Sequence, residues 1–285
     1  MTFSRLLSEA DLALSTAFLI GPNTWNVRAV MKDTEKTPLG RKQWKELLER
    51  ALKNRHIRLY AQSVVRAGNQ DAILHLEILS RIDLDDGKVL SANAFIPIAE
   101  RLKLVSSLDR MVVEEVIKLD RSRLGADTIA VNLSASSFQD ELFVGWLHKT
   151  IKNLPVSVPR IIFEFAEFGA VQNEQLLKSF AVVVHECGHK VGLDHYGQSG
   201  GHLKYLRSLQ PDYVKIDQAY TAELKDEDSD SRFFISSICS VAHSIDVVVI
   251  AEGVETENQR HILQRLNIDA VQGYLIDRPK PLQGI

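Results

Sequence analysis

Short apolar runs recur along this chain, and most of them end in a polar residue. Ala72-Ile73-Leu74-His75-Leu76 ends at Glu77, Ile129-Ala130-Val131 at Asn132, and Ile161-Ile162-Phe163 at Glu164. Val191-Gly192-Leu193 ends at Asp194, and Tyr213-Val214 leads into Lys215-Ile216-Asp217. Val247 to Ala251 ends at Glu252, and Ala270-Val271 at Gln272. These runs have strand length, and segments with apolar residues at helical spacing separate most of them. Strands are predicted at 56–65, 72–81, 128–133, 160–164, 190–194, 212–216, 247–251 and 269–272. Helices are predicted at 43–54, 93–101, 107–119, 139–152, 173–187, 201–209, 231–244 and 256–266.

Alternation of this kind describes βαβ units around a parallel sheet. About eight strands in roughly 240 residues is the size of a (β/α)₈ barrel. The expected fold is therefore α/β, a modified TIM barrel. Its first two strands are joined by the short loop at 66–71, which forces a hairpin, so one barrel strand must run antiparallel. Polar residues at successive strand ends then meet at one place, the C-terminal mouth of the barrel.

The first 42 residues follow a different pattern. Residues 6–18 have helical spacing, Gly21-Pro22-Asn23 stops that helix, and 25–30 read as a short strand. A polar stretch containing Pro38 and Gly40 follows. About 30 residues cannot bury a core of their own, so they read as the tail of a preceding domain and the chain as part of something longer. The division is 1–31 remnant, 32–42 linker and 43–285 barrel domain.

Composition narrows the choices. Hydrophobic content of 45% and charged content of 25% are those of a globular domain. A net charge of −3 provides no broad basic field, which argues against nucleic acid as a partner. An anionic ligand would have to be met locally, by a few cations or a metal. Two cysteines, Cys187 and Cys239, are too few for a disulfide framework and fit a reducing cytosol. No apolar stretch is long enough to span a bilayer, and the N-terminus lacks the pattern of a signal peptide.

The polar residues and their neighbours carry a resemblance. Glu77-Ile78-Leu79-Ser80-Arg81 resembles the Glu-x-Leu-x-Arg signature of the EAL domain family of cyclic-di-GMP phosphodiesterases and receptors. Phe95 to Glu100, Val131-Asn132-Leu133-Ser134 and Glu164-Phe165-Ala166-Glu167 are similar to further segments of that family. So are Lys215-Ile216-Asp217, Ala251-Glu252-Gly253-Val254-Glu255 and Gln272-Gly273-Tyr274. Each motif is weak alone; the ordered set, over residues 43 to 285, is specific. Ala10-Asp11-x-Ala13-Leu14 with Gly21-Pro22-Asn23 resembles the end of a GGDEF domain.

The resemblance implies roles. Glu77, Asn132, Glu164 and Asp194 would hold one Mg²⁺ or Mn²⁺, and Asp217 would serve a second. Hard oxygen ligands suit both ions. Lys215 and Glu252 would orient and deprotonate a water if hydrolysis occurs. Arg81 would meet the distal phosphate, Gln62 and Leu79 would line the nucleotide groove, and Gln272 completes the binding set. The chain departs from the family at Asp194-His195-Tyr196-Gly197-Gln198-Ser199, where the family has Asp-Asp-Phe-Gly-Thr-Gly. The second acid is His195, and the loop that Glu167 would brace is rewritten. The reading favoured is a cyclic-di-GMP receptor with little or no hydrolysis, resembling membrane-tethered receptors that control biofilm adhesion. An active phosphodiesterase giving linear pGpG, and an interaction module without nucleotide, are the alternatives. The implied setting is a cytoplasmic domain of an inner-membrane protein, with GGDEF and sensor domains upstream, an unidentified output partner and a possible homodimer.

Other features read as structural. His185-Glu186-Cys187-Gly188-His189 matches a zinc-protease pattern, but Gly188 belongs just past a helix end and would turn His189 away from His185. His75 reads as a core histidine with its hydrogen bonds satisfied, and the cysteines as core thiols. Phe233-Phe234 and Ile235-x-x-Ile238 read as core or subunit interface. The run 225–230 reads as a solvated loop ahead of a helix whose dipole favours its acids.

Overall fold

The computed structural model describes residues 40–84, 87, 89–198, 203–224 and 230–282. The helix and strand expected within 1–31, and residues 225–229 of the charged run, lie outside the described residues. Helix α1 (Arg41–Asn54) begins inside the segment read as linker, because the Gln43 side chain accepts the Gly40 N–H at 2.9 Å and closes the first turn. Strands β1 (Ile57–Arg66) and β2 (Asn69–Asp83) form the expected hairpin. Then come β3 (Val89–Ser91), α2 (Ala92–Arg101), α3 (Val105–Val116), α4 (Arg121–Leu124), β4 (Thr128–Asn132), a 3₁₀ turn (Ala135–Gln139) and α5 (Glu141–Ile151). They are followed by β5 (Arg160–Ala166), α6 (Glu167–Gln172), α7 (Glu174–Glu186), β6 (Lys190–Tyr196), α8 (Leu203–Leu209), β7 (Tyr213–Ile216) and α9 (Gln218–Ala222). The described chain finishes with α10 (Asp230–His243), β8 (Val248–Ala251), α11 (Glu257–Arg265), β9 (Ala270–Val271) and β10 (Lys280–Pro281).

Eight of these strands close a barrel in the order β1-β2-β4-β5-β6-β7-β8-β9, returning to β1. Strand β1 is antiparallel to both its neighbours, β2 and β9, and the other contacts within the barrel are parallel. The expected architecture is thus the observed one. Strands β3 and β10 have no counterpart in the sequence pattern. They pair with Arg81–Asp83 of β2 and Tyr60–Ala61 of β1, extending the hairpin sideways. Segments of two or three residues are too short to show a period.

Among the described residues, buried apolar side chains fill three places, one of them between α1, α2, α3 and the end of β2 around Leu48, Phe95, Leu108 and Ile82. Outward-facing residues of the strands pack against the helices, with Phe180 at the centre of an aromatic group that includes Phe138, Phe163 and Phe165. Inside the barrel, Val64, Ala130, Ile162, Tyr213, Ile250 and Ala270 form a separate inner cluster. Of the cysteines, Cys239 is buried as expected, whereas Cys187 is half-buried, because it caps the end of α7. His185 Nε2 lies 2.9 Å from Asp212, while His189 Nδ1 accepts the Ile161 N–H at 3.1 Å. Gly188, at φ +76°, makes the turn that separates the two histidines.

His75 corrects the sequence reading. It is fully buried and stacked on Tyr213, with ring centroids 5.2 Å apart, and neither ring nitrogen has a hydrogen-bond partner among the described residues. Burial, helped by the Lys215 charge, pushes its imidazole down to about 3. A histidine depressed in the fold carries no protonation penalty above its unfolded value of 6.5, and the fold loses stability as pH falls from there toward about 3. His75→Phe keeps the stack and removes two unsatisfied polar atoms. It is expected to stabilise the fold by about 1–3 kcal/mol and to flatten the loss of stability in acid, read as urea midpoints at neutral and acidic pH.

Candidate functional site

Strand alternation builds the site. Residues two apart on a strand share a face, so each inward apolar position sets the direction of the residue two steps nearer the mouth. Ala130 pairs in this way with Asn132, Ile162 with Glu164, Tyr213 with Lys215, Ile250 with Glu252 and Ala270 with Gln272. On the reversed strand β1, Val64 pairs with Gln62; on β2 His75 pairs with Glu77, and on β6 Gly192 with Asp194. The core of the barrel thereby becomes the floor under a ring of polar groups.

Lys215 stands at the middle of that ring with no exposed surface. Its Nζ lies 2.8 Å from Glu77 Oε2, 2.8 Å from Glu164 Oε1 and 3.9 Å from Glu252 Oε1. Glu77 also accepts from Gln272 Nε2 at 2.6 Å and Asn132 Nδ2 at 2.7 Å. Burial alone would raise the Glu77 carboxyl, but Lys215 and these two amides hold it down at about 2. Gln272 Nε2 also reaches Gln62 at 3.3 Å, and Gln62 donates to the Asp277 carbonyl at 3.0 Å.

The remaining acids are less well compensated. Burial pushes Glu164 up to about 8 despite Lys215. Burial and the Asp194 charge push Glu252 well above the ordinary carboxylate range. Burial opposes the Lys215 charge, yet Glu164 and Glu77 hold its ammonium well above the lysine norm. Carboxylates therefore outnumber the cations that could neutralise them, which is the condition a bound divalent ion relieves. Donor oxygens of Glu77, Glu164 and Asp194 lie within 4.8 Å of one another, and buried Glu164 Oε2 has no hydrogen-bond partner among the described residues. This all-oxygen set fits Mg²⁺ or Mn²⁺.

His195 occupies the other side of the mouth. Its Nδ1 is 3.0 Å from Asp217 Oδ2 and 3.8 Å from Glu252 Oε2, and its Nε2 is 3.7 Å from Asp194 Oδ2. The Asp194 charge, with the Asp217 hydrogen bond, holds the imidazole up at about 10 against the effect of burial. Asp217 also takes Gln198 Nε2 at 2.6 Å and caps α9 through the Ala219 N–H at 2.9 Å. The backbone of the β6 loop is fixed by Glu167, whose Oε2 accepts the Gly197 N–H at 3.0 Å. Gly197 has φ +105°, and a Cβ there would lie 2.7 Å from the Tyr220 ring.

Leu79 and Arg81 share the inward face of β2 with Glu77 but lie farther out, on the hairpin extension. The Arg81 guanidinium sits 4.0 Å over the Tyr60 ring. Sequence reasoning missed Tyr60, Gln198 and Tyr213. Tyr213 was legible: it stands two residues before Lys215 on one strand and so must face inward with it.

Fold and site together define a TIM-type barrel with an acidic, cation-competent mouth centred on a buried lysine. The EAL domain family model matches residues 45–279, and the chain belongs to that family. It is 29% identical over 238 residues to the cyclic di-GMP phosphodiesterase PdeF of Escherichia coli K12, covering 82% of this chain and 31% of that protein. It is 29% identical over 282 residues to the cyclic di-GMP phosphodiesterase PdeB of Shewanella oneidensis, covering 98% and 33%. Among solved structures, the S helix-GGDEF-EAL chain of Vibrio cholerae LapD, bound to c-di-GMP, superposes with TM-score 0.84 at 30% identity over 97% of this chain and 66% of that one. The chain thus spans about a third of the length of these curated relatives.

Proposed function

We propose that this domain binds cyclic-di-GMP at the barrel mouth as a signalling receptor, with little or no hydrolysis. The observation that carries the reading is His195, a side chain set among Asp194, Asp217 and Glu252. That is the corner where the family resemblance puts a second cation. Glu77, Asn132, Glu164 and Asp194 would hold one Mg²⁺ or Mn²⁺, which would neutralise a phosphodiester when bound. Arg81, half-buried at the rim, would meet the distal phosphate, with Gln62 and Leu79 along the groove. A module without nucleotide gives no reason for so complete a set of anion- and cation-binding groups.

A second reading is an active phosphodiesterase producing linear pGpG, with Lys215 and Glu252 acting on the water. The relatives named as phosphodiesterases favour it, as does the set Asp194, His195 and Glu252, whose donor atoms lie within 4.8 Å and could ligate a softer ion.

The wider setting is part of the proposal. The superposition on the S helix-GGDEF-EAL chain of LapD covers 97% of this chain, beyond residues 45–279, which supports reading 1–31 as the end of a GGDEF domain and 43–285 as the EAL domain. We place the domain on the cytoplasmic side of an inner-membrane protein with an upstream sensor and an output affecting biofilm adhesion. No helix among the described residues is long and apolar enough to cross a membrane. Phe233, exposed on α10, is a candidate homodimer contact.

The test is to mix stoichiometric protein with cyclic-di-GMP and Mg²⁺ or Mn²⁺, filter, and identify the retained nucleotide. Intact cyclic-di-GMP supports the receptor; conversion to pGpG establishes the enzyme. Arg81→Ala is expected to weaken binding by about 2 kcal/mol or more, roughly 30-fold, through loss of a charge-assisted phosphate contact. Unchanged affinity by calorimetry would place the phosphate elsewhere.

A further inference from the structure

We propose that Tyr213 is a positioning residue that aims the free oxygen of Glu164 at the bound divalent cation. The inference rests on the reading that Glu164 holds that cation. The Tyr213 hydroxyl donates to Glu164 Oε1, the same oxygen that takes Lys215 Nζ at 2.8 Å. Two donors on one oxygen fix the plane of the carboxylate. They leave Oε2, buried and without a partner among the described residues, as the atom able to ligate.

The ring is itself held in place from two other strands. His75 on β2 stacks on it at an interplanar angle of 11°. Gly192 on β6, which pairs in register with Tyr213, supplies the space: a Cβ at 192 would lie 2.5 Å from Tyr213 Cε2. Three strands thus combine to place one hydroxyl. A residue that merely fills the barrel interior needs the ring but has no use for the hydroxyl.

The experiment titrates Mn²⁺ alone into the 285-residue chain and its variants, with thermal unfolding as the fold control. Tyr213→Phe keeps the ring and is expected to bind Mn²⁺ about tenfold more weakly, the scale of outer-shell effects on metal affinity, with the melting temperature nearly unchanged. Gly192→Ala displaces the ring and is expected to lower both. Gly192→Ala combined with Tyr213→Val restores the space, and is expected to recover stability but not Mn²⁺ affinity. Wild-type affinity in Tyr213→Phe, or recovered affinity in the double variant, would overturn the proposal. Glu164→Gln separates the two levels. If it weakens Mn²⁺ binding and Tyr213→Phe does not, the positioning role alone fails. If the wild type takes up no Mn²⁺, or Glu164→Gln binds as the wild type does, the ligand reading fails and the positioning role falls with it.

Discussion

Lys215→Met is expected to destabilise the domain by about 3–5 kcal/mol, the usual effect of removing one partner from a buried ion pair. Methionine fills nearly the same volume, so the loss is one of charge. The ammonium has no exposed surface and is 2.8 Å from both Glu77 and Glu164. Without it, Glu77 loses what holds its carboxyl at about 2, and Glu164, already near 8, has no cation against it. The buried acids then repel one another or take up protons, so the defect grows as pH rises and the protons leave. Mn²⁺ should recover part of the lost stability, because an ion bound by the folded state alone shifts the equilibrium by mass action. Urea unfolding of the variant at mildly alkaline pH, with and without Mn²⁺, checks both parts. A variant as stable as the wild type would mean that Lys215 is not the cation holding the ring together. A variant that Mn²⁺ leaves equally weak would mean that Glu77, Glu164 and Asp194 do not form a cation site.

The same ring shows what the sequence reveals and where it stops. Its members sit at the ends of apolar strands, and the period of two sends each inward above an inward apolar residue. Glu77, Asn132, Glu164, Asp194, Lys215, Glu252 and Gln272 could therefore be assigned to one mouth before any coordinates. That one strand of the opening hairpin runs against the rest was equally legible, since 66–71 is too short for a crossover; the pairings identify it as β1. What sequence could not supply was partnership. His75 looked like any core histidine, and its unpartnered nitrogens depend on Tyr213, which is 138 residues away in the chain and on another strand. Gly192 shows no turn signal, because its role is the space it leaves for that same ring. Gln198 lies in a loop whose pattern says only that it departs from the family, yet its amide binds Asp217. The short strands β3 and β10 exist because the hairpin edges offer unpaired backbone, a cause outside their own sequence.

His195→Asp is expected to raise hydrolysis of cyclic-di-GMP by an order of magnitude or more, about 1.4 kcal/mol of transition-state stabilisation for each tenfold. The backbone permits the change: His195 has φ +54°, a left-handed conformation that aspartate tolerates better than most residues. The His195 N–H bond to Asp194 Oδ1, at 2.8 Å, is a backbone contact and survives. The substitution removes a cationic ring from among Asp194, Asp217 and Glu252 and adds an acid in its place. The site then changes from one that carries its own positive charge to one that calls for a second ion. Mn²⁺ stoichiometry should accordingly rise from one toward two, measured alongside the conversion of cyclic-di-GMP to pGpG. A rise in both identifies the missing acid as the main defect. A rise in metal without hydrolysis points to Gln198, whose Nε2 is 2.6 Å from Asp217, and to the rewritten loop that carries it. No rise in either, in a folded variant, would mean that His195 is not what keeps the second ion out, and the receptor reading would lose the observation that carries it.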